Sequence, residues 1–236
     1  MAKAVGLSRA IKPEWTNRTV QLVLEGMTAE NIKAALDDYL SFELSDPTNI
    51  SKARNILMNM WVRPFEDAKK DAIRRDALKL YQDADQKAVL DWCMLLLAYP
   101  IFVEWTSILG KIKRMQDSFS ASWLKEKIFE ERGEKTTLLY ATEKILQTSR
   151  QLGIIEPQGR GNYAFKEIRV DDERIVLVLA RAIVALKTNA YYEVSDIVNA
   201  PQLFPFIFDL TSELVYGQDA FEVASFGSSS VIVDIK

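Results

Sequence analysis

The chain has 236 residues, 48% of them apolar, and a formal net charge of −3, which excludes a disordered composition and a polycation and leaves room for one large or two modest domains. A single cysteine, Cys93, excludes an internal disulfide and points to a reducing cytoplasm. The absence of histidine removes Ser-His-Asp and Cys-His catalysis and most zinc sites.

Residues 1–12 contain Lys3, Arg9, Lys12 and Pro13 just beyond them, without an apolar core, so they read as loosely ordered chain and not as a signal peptide. Residues 14–26 have Trp15, Val20, Val23 and Leu24 at helical spacing and Gly26 as the stop. Thr28 is a candidate N-cap for the next helix, whose stripe is Ile32, Leu36, Tyr39 and Leu40. A turn over 46–49 precedes a helix capped by Asn49 or Ser51, carrying Ile56, Leu57, Met60 and Trp61 and ended by Pro64. Residues 65–82 place Lys69, Lys70, Arg74 and Arg75 beside Glu66, Asp67, Asp71 and Asp76. Mixed signs at these spacings read as a solvated helix face with i,i+4 pairs rather than a nucleic-acid stripe. Residues 85–98 form the most apolar helix, the expected centre of the N-terminal half, with Cys93 as inert core. The apolar run over 93–103 is broken by Pro100 and is too short to span a bilayer. Residues 101–115 continue as a helix that turns basic at Lys111, Lys113 and Arg114.

Residues 121–132 then read as an amphipathic helix with Trp123, Leu124, Ile128 and Phe129 inward. Gly133 breaks it. Residues 134–152 form a second helix with Leu138, Leu139, Thr142, Ile145, Leu146, Ser149 and Leu152 on one face and Gly153 at its end. Ile154 and Ile155 precede a stretch of turn formers over 157–162, and alternation resumes over 163–170. Helix, turn, helix, strand, glycine-rich turn, strand is the order of a winged helix-turn-helix, with Arg160 at the wing tip. Beyond it, 173–187 is apolar on nearly all sides, 195–199 is a short helix before Pro201, 204–216 reads as a helix, and 221–226 and 231–235 alternate around 227–230 as a terminal hairpin. The expected fold class is mainly α: a helical N-terminal domain over 1–115, then a winged helix-turn-helix-like part over 116–236 with C-terminal helices and a small β-hairpin.

The candidate DNA-binding residues are Lys135, Thr136, Thr137, Tyr140, Lys144 and Gln147 on the second helix, with Arg160, Asn162 and Lys166 in the wing. Such a helix suits the major groove, and hydroxyls, lysines and the helix N-terminus suit phosphate. Glu134 and Glu143 oppose that use, because carboxylates repel phosphate. Residues 111–170 hold twelve Lys and Arg against eight Asp and Glu, a net of +4 inside a chain of −3. A local anionic partner fits that excess. The acidic pairs Asp37-Asp38, Asp83/Asp85 and Asp171-Asp172-Glu173 sit at helix ends or on polar faces, where capping and solvation explain them. No phosphate-binding glycine loop, metal spacing or catalytic motif is present, so no enzyme activity, cofactor or metal is expected.

The "NRTVQLVLEGMT" within residues 14–28, "NISKARNIL" over 49–57, "VRPFE" over 62–66, "LLLAYPIFVEW" over 95–105, "LGII" before the wing and "LFPFIFDL" over 203–210 together resemble the BrxA family of the BREX bacteriophage-defence systems. The resemblance covers most of the chain through dispersed patterns. It implies a cytoplasmic, largely helical protein with a winged-helix-like part. It also implies DNA binding within a defence complex that separates self from phage DNA through methylation by partner proteins. It supplies no catalytic motif to carry over. The expected function is therefore a non-enzymatic component that binds duplex DNA, with other defence-system proteins as partners and no membrane. The alternative is a protein–protein adaptor in which the winged helix docks another subunit. Salt-sensitive binding marks the first, and apolar anchors mark the second.

Overall fold

Prolines and acidic caps set the starts of the N-terminal helices. The structure, a computed structural model, describes residues 6–133, 136–217, 219–226 and 229–236. Helix α1 (Pro13–Leu24) begins on a proline, whose fixed φ suits the first helical position and whose missing N–H is no loss there. Helix α2 (Ala29–Ser41) is capped by Thr28, which accepts from the Asn31 amide at 3.3 Å. Helix α3 (Pro47–Leu57) is capped by Asp46, not by Asn49 or Ser51: Asp46 accepts from the Thr48 amide at 3.0 Å. The Asp-Pro pair that reads as a turn is instead a cap followed by a first-turn proline. A π-helical turn, Met58–Val62, extends α3 before Pro64 ends the helical run. Helix α4 (Ala68–Tyr81) is capped by Asp67.

Helices α5 (Lys87–Ala98) and α6 (Pro100–Lys113) meet at a bend of 119°. Tyr99 precedes a proline and is held in the extended region, so the two cannot fuse. Among the described residues no single helix is long and apolar enough to cross a membrane. Strand β1 (Ser118–Ser120), helix α7 (Ala121–Arg132), helix α8 (Thr136–Gln151), strand β2 (Ile155–Pro157) and strand β3 (Asn162–Phe165) follow. The three strands form one antiparallel sheet in the order β1-β3-β2. The alternation over 163–170 belongs to two sheets, because β4 (Ile168–Arg169) leaves β3 and pairs in parallel with β5 (Phe206–Ile207).

Helix α9 (Glu173–Ala185) is capped by Asp172 and buries all but three of its residues against α4 and α5. Arg181 fixes it to Asp76 of α4 at 2.7 Å. Helix α10 (Val194–Val198), a 3-10 turn (Pro201–Leu203), helix α11 (Ser212–Tyr216) and the hairpin β6 (Phe221–Phe226) with β7 (Ser229–Ile235) complete the chain. Lys69 of α4 holds that hairpin through Glu222 at 3.1 Å and Asp234 at 2.9 Å.

Two further expectations fail. Residues 204–216 are not one helix. Phe204, Phe206, Phe208 and Leu210 are buried while Ile207 and Asp209 are exposed, which is the period of extended chain. Loose order over 1–12 fails for the described part, since Leu7 and Ile11 are buried at 1% exposure.

Two adjacent residues of α5 organise the core. The buried Asp91 carboxyl accepts from Thr16 Oγ1 of α1 at 2.8 Å and from Trp61 Nε1 of the π-helical turn at 3.1 Å, and lies 3.1 Å from the Tyr81 hydroxyl of α4. Its neighbour Trp92 makes edge contacts with Phe102 at 4.7 Å, Phe204 at 5.5 Å and Phe206 at 5.9 Å. Trp92 Nε1 donates to the Gln202 carbonyl at 2.9 Å. The division expected near residue 115 falls between α6 and β1, and packing runs across it through Trp92 and α9. Cys93, next along α5, is buried and unpaired, and burial pushes its thiol up.

Burial pushes Asp91 up to about 7, against the three hydrogen bonds that pull it down. Thr16 Oγ1 also lies 2.9 Å from the Pro13 carbonyl and 3.2 Å from the Tyr81 hydroxyl. Two hydroxyl protons thus serve four contacts, and a protonated Asp91 supplies a further donor. The folded state binds this proton more tightly than the unfolded chain does. The stabilisation is therefore complete below about pH 4 and is lost as pH rises through about 7. No histidine titrates in that window. Denaturant titrations from pH 5 to 8 should show stability falling by roughly 2 kcal/mol or more, and Asp91→Asn should flatten the slope. A flat parent profile would mean that Asp91 is ionised in the fold throughout.

Gly110 marks the closest approach of α6 to the 3-10 turn: a Cβ there would stand 1.9 Å from the Pro201 carbonyl oxygen. Gly110→Ala should cost about 3 kcal/mol and lower the melting temperature by roughly 10 °C. An unchanged melt would show that the two segments separate freely.

Candidate nucleic-acid interface

The segment from α6 to β3 builds the candidate site from one buried and one exposed helix face. Ser120 caps α7, accepting from the Trp123 amide at 3.1 Å. Gly133 ends α7 at φ +76° and ψ 160°, a region that essentially only glycine adopts, so the break expected here is where it falls. Helix α8 buries Ala141, Thr142, Ile145, Leu146, Thr148 and Ser149. On its other side Tyr140 is 65% exposed, Gln147 is exposed and Lys144 is half-buried. Spacings of four and three residues bring these side chains onto one face, and Lys144 Nζ donates to Gln147 Oε1 at 3.4 Å. Lys135 lies outside the described residues, as do the side chains of Thr136 and Thr137, although both threonines begin α8.

The hairpin turns over the residues expected. Ile155, Glu156 and Pro157 pair with Phe165, Ala164 and Tyr163. The Gln158 amide donates to the Asn162 carbonyl at 2.8 Å, and the Asn162 amide donates to the Gly159 carbonyl at 3.0 Å. Asn162 thereby closes the turn with its backbone. Arg160 stands at the tip with φ +50°, between two glycines that share its left-handed backbone. Positive φ is uncommon for a non-glycine residue and costs about 1 kcal/mol. The side chain is exposed and forms no hydrogen bond or ion pair with another described residue. Lys166 is also exposed, but its ammonium faces Glu156 across the sheet at 3.3 Å.

The electrostatics differ from a reading of single residues. Glu143, the carboxylate that opposes DNA in the sequence, is paired with Lys125 of α7 at 2.9 Å. That hydrogen bond holds the Glu143 carboxyl below the usual carboxylate range. Arg150, one turn beyond Gln147, is exposed and was missed by the sequence reading. Its i+3 spacing from Gln147 is a signal for this face, masked by the ordinary preference for a cation in the last turn of a helix. Lys144, Arg150 and Arg160 form no ion pair with another described residue.

Other groups lead elsewhere. Asp37 pairs with Arg54, Asp171 with Arg169, and Asp172 with Arg174 while capping α9. Among the described residues no group of His, Cys, Asp or Glu converges in a way that could hold a metal ion. An open cleft of about 920 Å³ is lined by side chains of both signs, Glu14, Arg18, Asp83 and Lys87 among them. Tyr81 forms part of its wall, but the Tyr81 hydroxyl is turned onto Thr16 and Asp91. No family model, curated protein or solved structure matches this chain.

Lys125→Ala should raise the Glu143 carboxyl toward its ordinary value, read by carbon-detected NMR titration. The thermal midpoint should hardly move, since an exposed pair is worth about 0–1 kcal/mol. An unshifted Glu143 would show that the pair does not persist in solution.

Proposed function

We propose that this chain is a non-enzymatic DNA-binding component of a bacterial phage-defence system of the BREX type, acting in the cytoplasm beside other proteins of that system. In this reading α6–α8 and the sheet β1-β3-β2 are a winged helix. Helix α8 enters the major groove and the β2–β3 turn is the wing. The reading is carried by one observation: Lys144, Arg150 and Arg160, on α8 and at the hairpin tip, carry no ion pair among the described residues, while Lys125 neutralises the competing Glu143. Cations without an ion pair on a helix and an adjoining turn suit a phosphate backbone, and none of them is fully buried. The dispersed resemblance to the BrxA family supports the same assignment.

Base readout is limited. Gln147 is an amide able to pair with an adenine edge, and Tyr140 offers a hydroxyl and a ring. Phosphate contacts outnumber these, so binding is broadly sequence-tolerant. The choice between self and foreign DNA then lies with partner proteins. One observation favours the adaptor reading: Tyr140, 65% exposed on the α8 face, is the kind of aromatic anchor that protein interfaces use.

Duplex binding should weaken steeply with salt as Lys and Arg release condensed counterions. Lys144→Ala and Arg160→Ala should each weaken it by about 1 kcal/mol, roughly five-fold, without moving the melting temperature. Electrophoretic shifts at low salt decide the matter. No shift, or a double variant that binds as well as the parent, removes the DNA reading and leaves the adaptor.

A further inference from the structure

Residues 6–12 have no helix or strand of their own, yet Leu7 and Ile11 are each only 1% exposed. The Ile11 amide donates to Thr148 Oγ1 at 3.1 Å, a buried bond across 137 residues of sequence. The same hydroxyl donates to the Lys144 carbonyl at 2.8 Å. Thr148 therefore joins this segment to the turn of α8 that carries Lys144, and residues four apart stand one above the other on a helix. Between the two buried anchors Ser8 is exposed and Arg9 half-exposed. Arg9 makes no hydrogen bond or ion pair with another described residue. Lys12, beyond the Ile11 anchor, is committed to Glu43 and to the Trp15 ring. Two residues of chain span at most about 7 Å, so Arg9 stays beside α8.

We propose that residues 6–12 are an arm of the DNA surface, in which the Arg9 guanidinium binds a backbone phosphate alongside Lys144, and Thr148 is the positioning residue that holds the arm. The inference rests on the duplex-binding reading above. A guanidinium matches the phosphate oxygens in a bidentate fork, and an arm docked in advance loses less entropy on binding than a loose one. The arm contacts backbone, so it adds affinity without sequence preference.

The test is fluorescence anisotropy of the full chain with a labelled 20-base-pair duplex across a salt series. Arg9→Gln should weaken binding about five-fold at 0.1 M salt and make the logarithmic salt slope shallower by about one, with Arg9→Lys keeping the slope. Thr148→Val, which keeps the volume and removes the hydroxyl, should reproduce the Arg9→Gln loss. The double variant should bind no worse than about either single one, since both act through one contact. Thermal melts of each variant establish that it is folded, and Arg9→Gln with Arg9→Lys carries the test alone if Thr148→Val does not fold. The arm is refuted if the parent binds with a Lys144-dependent affinity while Arg9→Gln matches it in affinity and slope. If the parent shows no duplex binding, the DNA reading itself fails and the arm goes with it.

Discussion

The structure depends on a pair of consecutive side chains, Asp91 and Trp92, that leave α5 in different directions. Successive residues of an α-helix are about 100° apart, so neighbours can serve two separate packing partners. Asp91 draws α1, the π-helical turn and α4 to one carboxyl. Trp92 receives Phe102 and the extended segment at 204–206. The first contact is polar and has specific geometry. The second is aromatic, with edge contacts worth about 0.5–1.5 kcal/mol each beyond the area they bury. A carboxyl in the most apolar helix of the chain is costly unless every lone pair is used. Here its three donors come from three different elements, so satisfying it fixes their register.

The candidate interface inherits its rigidity from that centre. Phe204 touches Phe165 of β3 at 5.4 Å, Phe165 touches Phe119 of β1 at 5.0 Å, and Phe119 stacks on Tyr163 at 5.7 Å. A line of rings thus runs from α5 to the small sheet that carries the hairpin. Strands of three and four residues form a weak sheet alone, and the aromatic backing replaces what length does not provide. Arg160 at positive φ is tolerable on such a base, because the pairing on either side fixes the turn. Exposed side chains on a braced turn need less ordering if a partner binds there.

Most helices were legible because their apolar period and their caps agree. Thr28 and the α8 face, including the inward Thr142 and Ser149, follow from spacing alone. What escaped has definite causes. The aromatic run at 204–210 has an alternating period, but its density of phenylalanine hides that the odd residues Ile207 and Asp209 face outward. Strand β1 is three residues long and exists only because β3 pairs with it. The ordering of residues 6–12 depends on Thr148, 137 residues beyond Ile11, and no local pattern carries such a contact. At the candidate site, single charges were legible and their pairing was not. Glu143 reads as an obstacle until Lys125 on α7 is seen to hold it.

That pairing decides how the net charge should be read. A chain of −3 has no long-range attraction for a polyanion, and its acidic remainder repels one. Any affinity for nucleic acid must come from cations that are local, unpaired and within a Debye length, about 8 Å at physiological salt, of the phosphates they meet. Elsewhere some cations are matched to carboxylates, Lys69 to Glu222 and Asp234, Lys113 to Asp117 and Glu167, Arg169 to Asp171 and Asp209, while others such as Lys33, Lys52, Lys70 and Lys111 carry no ion pair among the described residues. At α8 and the hairpin tip, Lys144, Arg150 and Arg160 carry no ion pair among the described residues, and the neighbouring carboxylate, Glu143, is matched by Lys125. If the proposed interface binds DNA, the acidic remainder of the chain opposes indiscriminate coating of it. On the proposed reading the chain's contact with a duplex is weak, which is the property expected of a subunit whose affinity is completed by proteins assembled beside it.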